Sequence, residues 1–187
     1  MNLFFFGGAF DPPHIGHYNI VKHCLNKCDK LIIVPNKMSV NKKIITVSYR
    51  HRLHMLRILF SDLNVEIDDF EINSLNKNYT FYTIEYLLKK YSDFKITMVI
   101  GEDQALNFHN WYRSEEIKKM VDILYFNRNQ SNHNIAIKGF EYIKDFDCNI
   151  SSSMVRKILK NEPDYIEVQK YIQSKVFNYI RDNNLYV

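Results

Sequence analysis

Glycine is scarce in this chain. There are five in 187 residues, and two of them are adjacent, Gly7 and Gly8. In a chain so poor in glycine, a neighbouring pair marks a place where the backbone must turn or be approached closely. Cysteine is rarer still: Cys24, Cys28 and Cys148 form no metal-like framework, and their number suits reduced thiols in a cytoplasmic protein. No apolar run is long enough to span a membrane. The longest near the start, residues 3–10, is too short and has no basic leader, so neither a membrane span nor a signal peptide is expected. Blocks of five or six consecutive basic residues are also missing, and no basic stripe is interleaved with stacking aromatics. The net charge of +4 therefore suits small phosphorylated molecules without requiring nucleic acid.

What is present is ordinary for a soluble protein. Hydrophobic residues make up 46% and charged residues 25%, which argues against disorder. Tyrosine and phenylalanine number 13 each, a drift of the whole chain that takes weight from any single aromatic. The length suits one domain over 1–187, with residues 150–187 as its C-terminal helical part.

Apolar runs predict strands at 2–7, 31–35, 63–67, 94–101 and 121–126, with a short edge strand after 67 and a late strand within 135–148. Helical spacing is expected at 17–27, 48–60, 80–91 (capped by Thr80), 113–119, from the 150–157 region onward, and near 165–182. A short helix is expected after Glu102. This alternation predicts a Rossmann-like α/β fold, an αβα sandwich around a mainly parallel sheet with right-handed crossovers. Ligands in such sheets lie beyond the carboxyl ends of the strands, at the switch in strand order. Residues 36–46 are polar and long for a connection, a candidate lid.

The first strand runs into GGAFDPPHIGH, residues 7–17. Gly7 and Gly8 would expose backbone N–H groups to phosphate oxygens. Pro12 and Pro13 would stiffen the turn. His14 and His17, three apart at a helix start, could face the same crevice as donors to a transferring phosphoryl group. No third ligand stands near them for zinc, so no metal ligand is assigned. A second stretch, ISSSMVRK at 150–157, offers serine caps and, inside the helix, Arg156, whose guanidinium fork suits phosphate.

Together, in this order and separation, the two stretches carry a resemblance. GGAFDPPHIGH resembles the GGxFDPxHxGH signature of HxGH-motif nucleotidyltransferases, and ISSSMVR resembles their ISSTxxR motif, with Ser153 in the threonine place. Over at least residues 1–160 the chain resembles the bacterial nicotinate mononucleotide adenylyltransferase family. The resemblance implies transfer of AMP from ATP to nicotinate mononucleotide, yielding deamido-NAD and pyrophosphate. It implies that His14, His17 and Arg156 are catalytic and meet the ATP phosphates, with Gly8, Ala9, Phe10, Ser152 and Ser153 beside them. Gly101, Glu102 and Asp103 match a GxD motif, so Asp103 would hold a ribose hydroxyl or orient the nucleotide. Tyr79 and Thr80 match a YT pair at the acceptor's pyridine carboxylate. Trp111, the lone tryptophan, would stack on the pyridine ring.

The chain departs from the family's pattern in two places. Its PNKMSVNKK lacks the second proline and the histidine of PxxxPHK, leaving Lys42 or Lys43 for the acceptor phosphate, and NRNQ at 127–130 replaces an RPG-like turn. The expected mechanism is direct displacement at the α-phosphorus, aided by magnesium on the ATP phosphates. Nicotinamide mononucleotide and phosphopantetheine are alternative acceptors, and a non-catalytic nucleotide-binding regulator is an alternative of a different class. A cytoplasmic monomer or homodimer is expected, without nucleic-acid or membrane partners.

Overall fold

A computed structural model of the chain describes residues 1–37, 46–74, 79–126, 137–143, 150–161 and 164–187. Along the chain run β1 (Asn2–Gly8), α1 (Ile15–Leu25), β2 (Lys30–Pro35), α2 (Tyr49–Leu59), β3 (Glu66–Ile67), α3 (Phe70–Asn73) and α4 (Thr80–Lys90). There follow β4 (Lys95–Gly101), α5 (Glu102–Leu106), α6 (Ser114–Met120), β5 (Asp122–Phe126) and β6 (Glu141–Ile143). The last elements are α7 (Ser152–Leu159), α8 (Tyr165–Val168) and α9 (Ser174–Asp182).

The strands form one six-stranded sheet in the order β3-β2-β1-β4-β5-β6, and every neighbouring pair is parallel. β1 shows why it lies at the centre. Its side chains alternate between faces, and both faces are covered. Phe4 and Phe6 pack with Ile20, Val21 and Cys24 of α1 and with residues of α2, α7 and α9. Leu3 and Phe5 pack on the other side with Phe81 and Ile84 of α4 and Ala105 of α5. Burying each such side chain stabilises the fold by about 2 kcal/mol, so slipping β1 by one residue would exchange two filled cores.

The sheet places the site. β1 and β4 are neighbours, yet α1 leaves β1 toward one face and α5 leaves β4 toward the other. The chain therefore parts beyond Gly8 and Gly101 and opens a crevice there, the usual ligand position in an open parallel sheet.

Several boundaries differ from the sequence expectation, each for a local reason. Residues after 67 turn into α3 rather than an edge strand, because Asp68 Oδ1 accepts the N–H of Phe70 at 2.9 Å and starts a helical turn. The strand expected at 63–67 pairs with β2 only through Glu66 and Ile67. Thr80 is the first residue of α4, and Tyr79 takes the cap position without a side-chain cap bond. The helix expected near 165–182 is two helices, α8 and α9. Between them the carbonyl of Tyr171 accepts the N–H of Ile15 at 2.9 Å, a bond to the start of α1. Among the described residues no helix is long and apolar enough to cross a membrane. Cys24 is buried, and burial pushes its thiol up to about 12, which keeps it protonated and unreactive.

Candidate active site

The crevice holds a cavity of about 500 Å³. The residues after β1 shape one wall. A Cβ on Gly8 would stand 3.2 Å from the ring of Phe10, whereas one on Gly7 would meet nothing closer than 3.8 Å. So Gly8 lets the Phe10 ring pack close, and Gly7 leaves the wall open. The left-handed conformation here belongs to Phe10, with φ of 49°, which folds its buried ring back under the loop. The Asp11–Pro12 peptide is cis.

α1 then begins. The backbone N–H of His14 donates to Nδ1 of His17 at 3.2 Å, and the two rings stack with centroids 3.7 Å apart. A nitrogen that accepts carries no proton, so the His17 ring holds its proton on Nε2 and is a donor there. His17 lines the cavity; His14 is buried and is not among the lining residues. His14 thus holds His17 through its backbone N–H and its stacked ring, and of the two rings expected at the crevice it is His17 that lines the cavity.

The start of α7 closes the other side, and its three serines divide the work. Ser151 caps the helix by accepting the N–H of Met154 at 3.2 Å. Ser152 Oγ donates to the carbonyl of Pro12 at 3.0 Å, tying α7 to the loop after β1. Ser153 Oγ accepts from Arg156 Nη2 at 3.3 Å. The Nη1 of Arg156 donates to the carbonyl of Asp11. Two elements 140 residues apart in sequence are thereby bound into one wall.

The far end is aromatic. Tyr79 stacks on Tyr112 with centroids 4.6 Å apart, and partly buried Trp111 packs beside Phe108 at 5.1 Å. Tyr79, Thr80, Trp111 and Tyr112 line this end, with exposed Asp103 on the first turn of α5. Of the residues singled out from sequence, Gly8, Ala9, Phe10, His17, Tyr79, Thr80, Asp103, Trp111, Ser152, Ser153 and Arg156 all line the cavity. Lys42, Lys43 and the 127–130 turn lie outside the described residues, as does most of the candidate lid.

Sequence reasoning missed four participants. Asp11 stood inside the motif but drew no role. Glu71 lines the cavity while Thr83 Oγ1 donates to its Oε1 at 2.6 Å; burial pushes its carboxyl up to about 7. Arg52 read only as part of the helix expected at 48–60, yet it is fully buried. It donates to the carbonyls of Ala9 at 2.6 Å and Lys37 at 3.3 Å. Tyr186 donates to Asp11 Oδ1 at 2.8 Å from the opposite end of the chain.

A parallel sheet whose switch point carries backbone N–H groups, an imidazole donor and an arginine fork defines a nucleotide-binding α/β protein of the nucleotidyltransferase kind. The chain belongs to the cytidylyltransferase-like family, whose model matches residues 5–158, and within it to the nicotinate mononucleotide adenylyltransferases. A relative from Aliarcobacter butzleri, named "probable nicotinate-nucleotide adenylyltransferase", is 34% identical over 181 residues, covering 95% of this chain and 96% of the relative. One of the same name from Borrelia hermsii is 31% identical over 191 residues, covering 100% and 98%. Among solved structures, nicotinic acid mononucleotide adenylyltransferase from Plasmodium falciparum, complexed with NaAD, superposes with a TM-score of 0.86 at 22% identity. That match covers 99% of this chain and 97% of the other, and it shows the shared fold.

Proposed function

We propose that this protein is an adenylyltransferase that moves AMP from ATP to nicotinate mononucleotide, forming deamido-NAD and pyrophosphate. The observation that carries the reading is one cavity with two unlike ends, a phosphate cradle and an aromatic wall. At the first end His17, Arg156 and the backbone after β1 stand together; at the second stand Tyr79, Trp111 and Tyr112. A nucleotide triphosphate suits the first end and a flat pyridine ring the second.

In the proposed step an oxygen of the mononucleotide phosphate attacks the α-phosphorus of ATP. The new P–O bond forms as the bond to the bridging oxygen of the β-phosphate breaks, and the electron pair leaves on pyrophosphate. The nucleophile is already anionic at neutral pH, so no residue needs to remove its proton. His17 donates from Nε2 to phosphate oxygens, and Arg156 offsets the charge growing on the leaving group. Ser152 and Ser153 hold the loop and the guanidinium in place for it. Asp103 binds a ribose hydroxyl, Thr80 meets the pyridine carboxylate, and Trp111 stacks on the ring. Lys42 or Lys43 takes the acceptor phosphate.

Among the described residues no three His, Cys, Asp or Glu side chains stand close enough to hold a metal ion. Magnesium brought with ATP would offset the phosphate charge, while the chain holds the phosphates.

The test offers the purified protein ATP and magnesium with nicotinate mononucleotide, nicotinamide mononucleotide, phosphopantetheine or no acceptor, following pyrophosphate release. Fastest release with nicotinate mononucleotide is expected. Preference for nicotinamide mononucleotide or phosphopantetheine replaces the acceptor, and silence with all of them leaves a nucleotide-binding regulator.

A further inference from the structure

Asp11 is the most connected side chain of the phosphate end. It is 3% exposed, so its carboxylate needs partners in place. Oδ1 accepts from the Tyr186 hydroxyl at 2.8 Å, and Oδ2 accepts from the backbone N–H of Thr46 at 2.8 Å. Two guanidiniums also face it. Arg156 Nη1 stands 3.8 Å from Oδ2 while donating instead to Asp11's own carbonyl. Arg52 is close enough for the Asp11 charge to act on it, but its donors go to the carbonyls of Ala9 and Lys37.

This is an unusual choice of partners. A buried carboxylate beside an arginine normally closes into a two-point ion pair. Here the phenol holds Oδ1 and the Thr46 amide holds Oδ2, one donor on each oxygen. Arg156 donates to a carbonyl and a serine, stands 3.8 Å from the carboxylate, and keeps its fork on the cavity lining. Tyr186 is not among the lining residues, so its reach to the ligand is indirect.

The chain holds Tyr186 there against its backbone preference. Its φ is 66°, in the left-handed region that a bulky side chain rarely adopts. Burial, and then the Asp11 charge, raise the phenol's pKa, so it stays protonated and remains a donor.

We propose that Tyr186 is a positioning residue for the phosphate end: by holding the Asp11 carboxylate it keeps Arg156 from collapsing onto that carboxylate and leaves the guanidinium for the triphosphate. The proposal rests on the reading of Arg156 as a triphosphate ligand. Tyr186 touches no substrate; it acts through Asp11.

The test is Tyr186→Phe in the full chain, which keeps the ring and removes one hydroxyl. A non-hydrolysable ATP analogue is titrated calorimetrically, and turnover is followed with ATP and acceptor varied separately. The analogue Kd and the KM for ATP should each rise about tenfold, while the KM for the acceptor stays unchanged. Asp11→Asn, which removes the charge Arg156 would collapse onto, provides the second variant. In the double variant Tyr186→Phe should add nothing to Asp11→Asn, since both act through one carboxylate. An unchanged analogue Kd in Tyr186→Phe overturns the proposal, as do losses that multiply in the double variant or equal losses for ATP and acceptor. If Tyr186→Phe folds poorly, a double variant that binds the analogue less well than Asp11→Asn alone decides against it. The titration contains no acceptor, so a wrong acceptor assignment shows in wild-type turnover and leaves this test intact.

Discussion

At the scale of single residues, the site draws on groups whose ordinary behaviour has been changed by burial. Glu71 is the clearest. Its carboxyl sits in the cavity wall with a hydrogen bond from Thr83 and little water, and burial raises its pKa from an ordinary 4.5 to about 7. In the unfolded chain the same group ionises near its ordinary value. Between about pH 4.5 and 7 the folded protein therefore binds more protons than the unfolded one, and stability falls as pH rises through that window. Above it the loss is complete, at most about 3 kcal/mol from a shift of this size. Glu71→Gln keeps an oxygen for Thr83 and has no proton to lose, so it should be relatively more stable at pH 8 than at pH 5. Urea midpoints of both proteins at the two pH values check this; the same difference at each would mean that Glu71 ionises normally in the fold. At the other wall Gly8 and Phe10 show a different constraint. The sequence pointed to the glycine pair for a turn, but the turn's left-handed residue is a phenylalanine, and Gly8 is there to make room for its ring.

At the scale of elements, the start of α7 repays attention because three consecutive serines look interchangeable in sequence and are not. Ser151 satisfies a helix N–H, Ser152 ties α7 to Pro12, and Ser153 steadies Arg156. Loss of a cap costs about 1 kcal/mol, and that cost falls on the helix whether or not nucleotide is present. Loss of the Arg156 contact removes a weaker bond at an exposed position. Ser151→Ala should therefore lower the unfolding free energy by about 1 kcal/mol, with the fold intact, while Ser153→Ala leaves stability unchanged within about 0.5 kcal/mol. Chemical denaturation of the two variants beside wild type measures both. Equal destabilisation would show that Ser153, too, supports the helix.

At the scale of the whole molecule, the sheet was legible because its strands are short apolar runs with turn residues between them, and the β1 run LFFF fills both cores. The parallel architecture followed from the alternation of strands and helices. The two stretches that meet at the cavity were legible because their pattern is local: glycines and histidines in one, serines and an arginine in the other, lie within a few residues of one another. What was not legible depends on distant partners. Nothing in the sequence near Arg52 announces that it is buried against Ala9, and Tyr186 meets Asp11 across 175 residues. Local pattern also missed the interruption of the helix after 165, where Tyr171 gives its carbonyl to α1. These long-range ties have a consequence for the molecule in solution. The phosphate end is assembled from residues 8–17 and 151–156, joined by Ser152 to Pro12 and Arg156 to Asp11. A ligand bound there is held by both ends of the chain and must be released for either to open. A non-hydrolysable ATP analogue at a hundredfold excess over its Kd should stabilise the fold by about 2.7 kcal/mol. Hydrogen exchange should then slow in both stretches by a similar factor, although they are far apart in sequence. Protection confined to residues 8–17 would mean that α7 does not share the ligand, and Arg156 would lose its place in the mechanism.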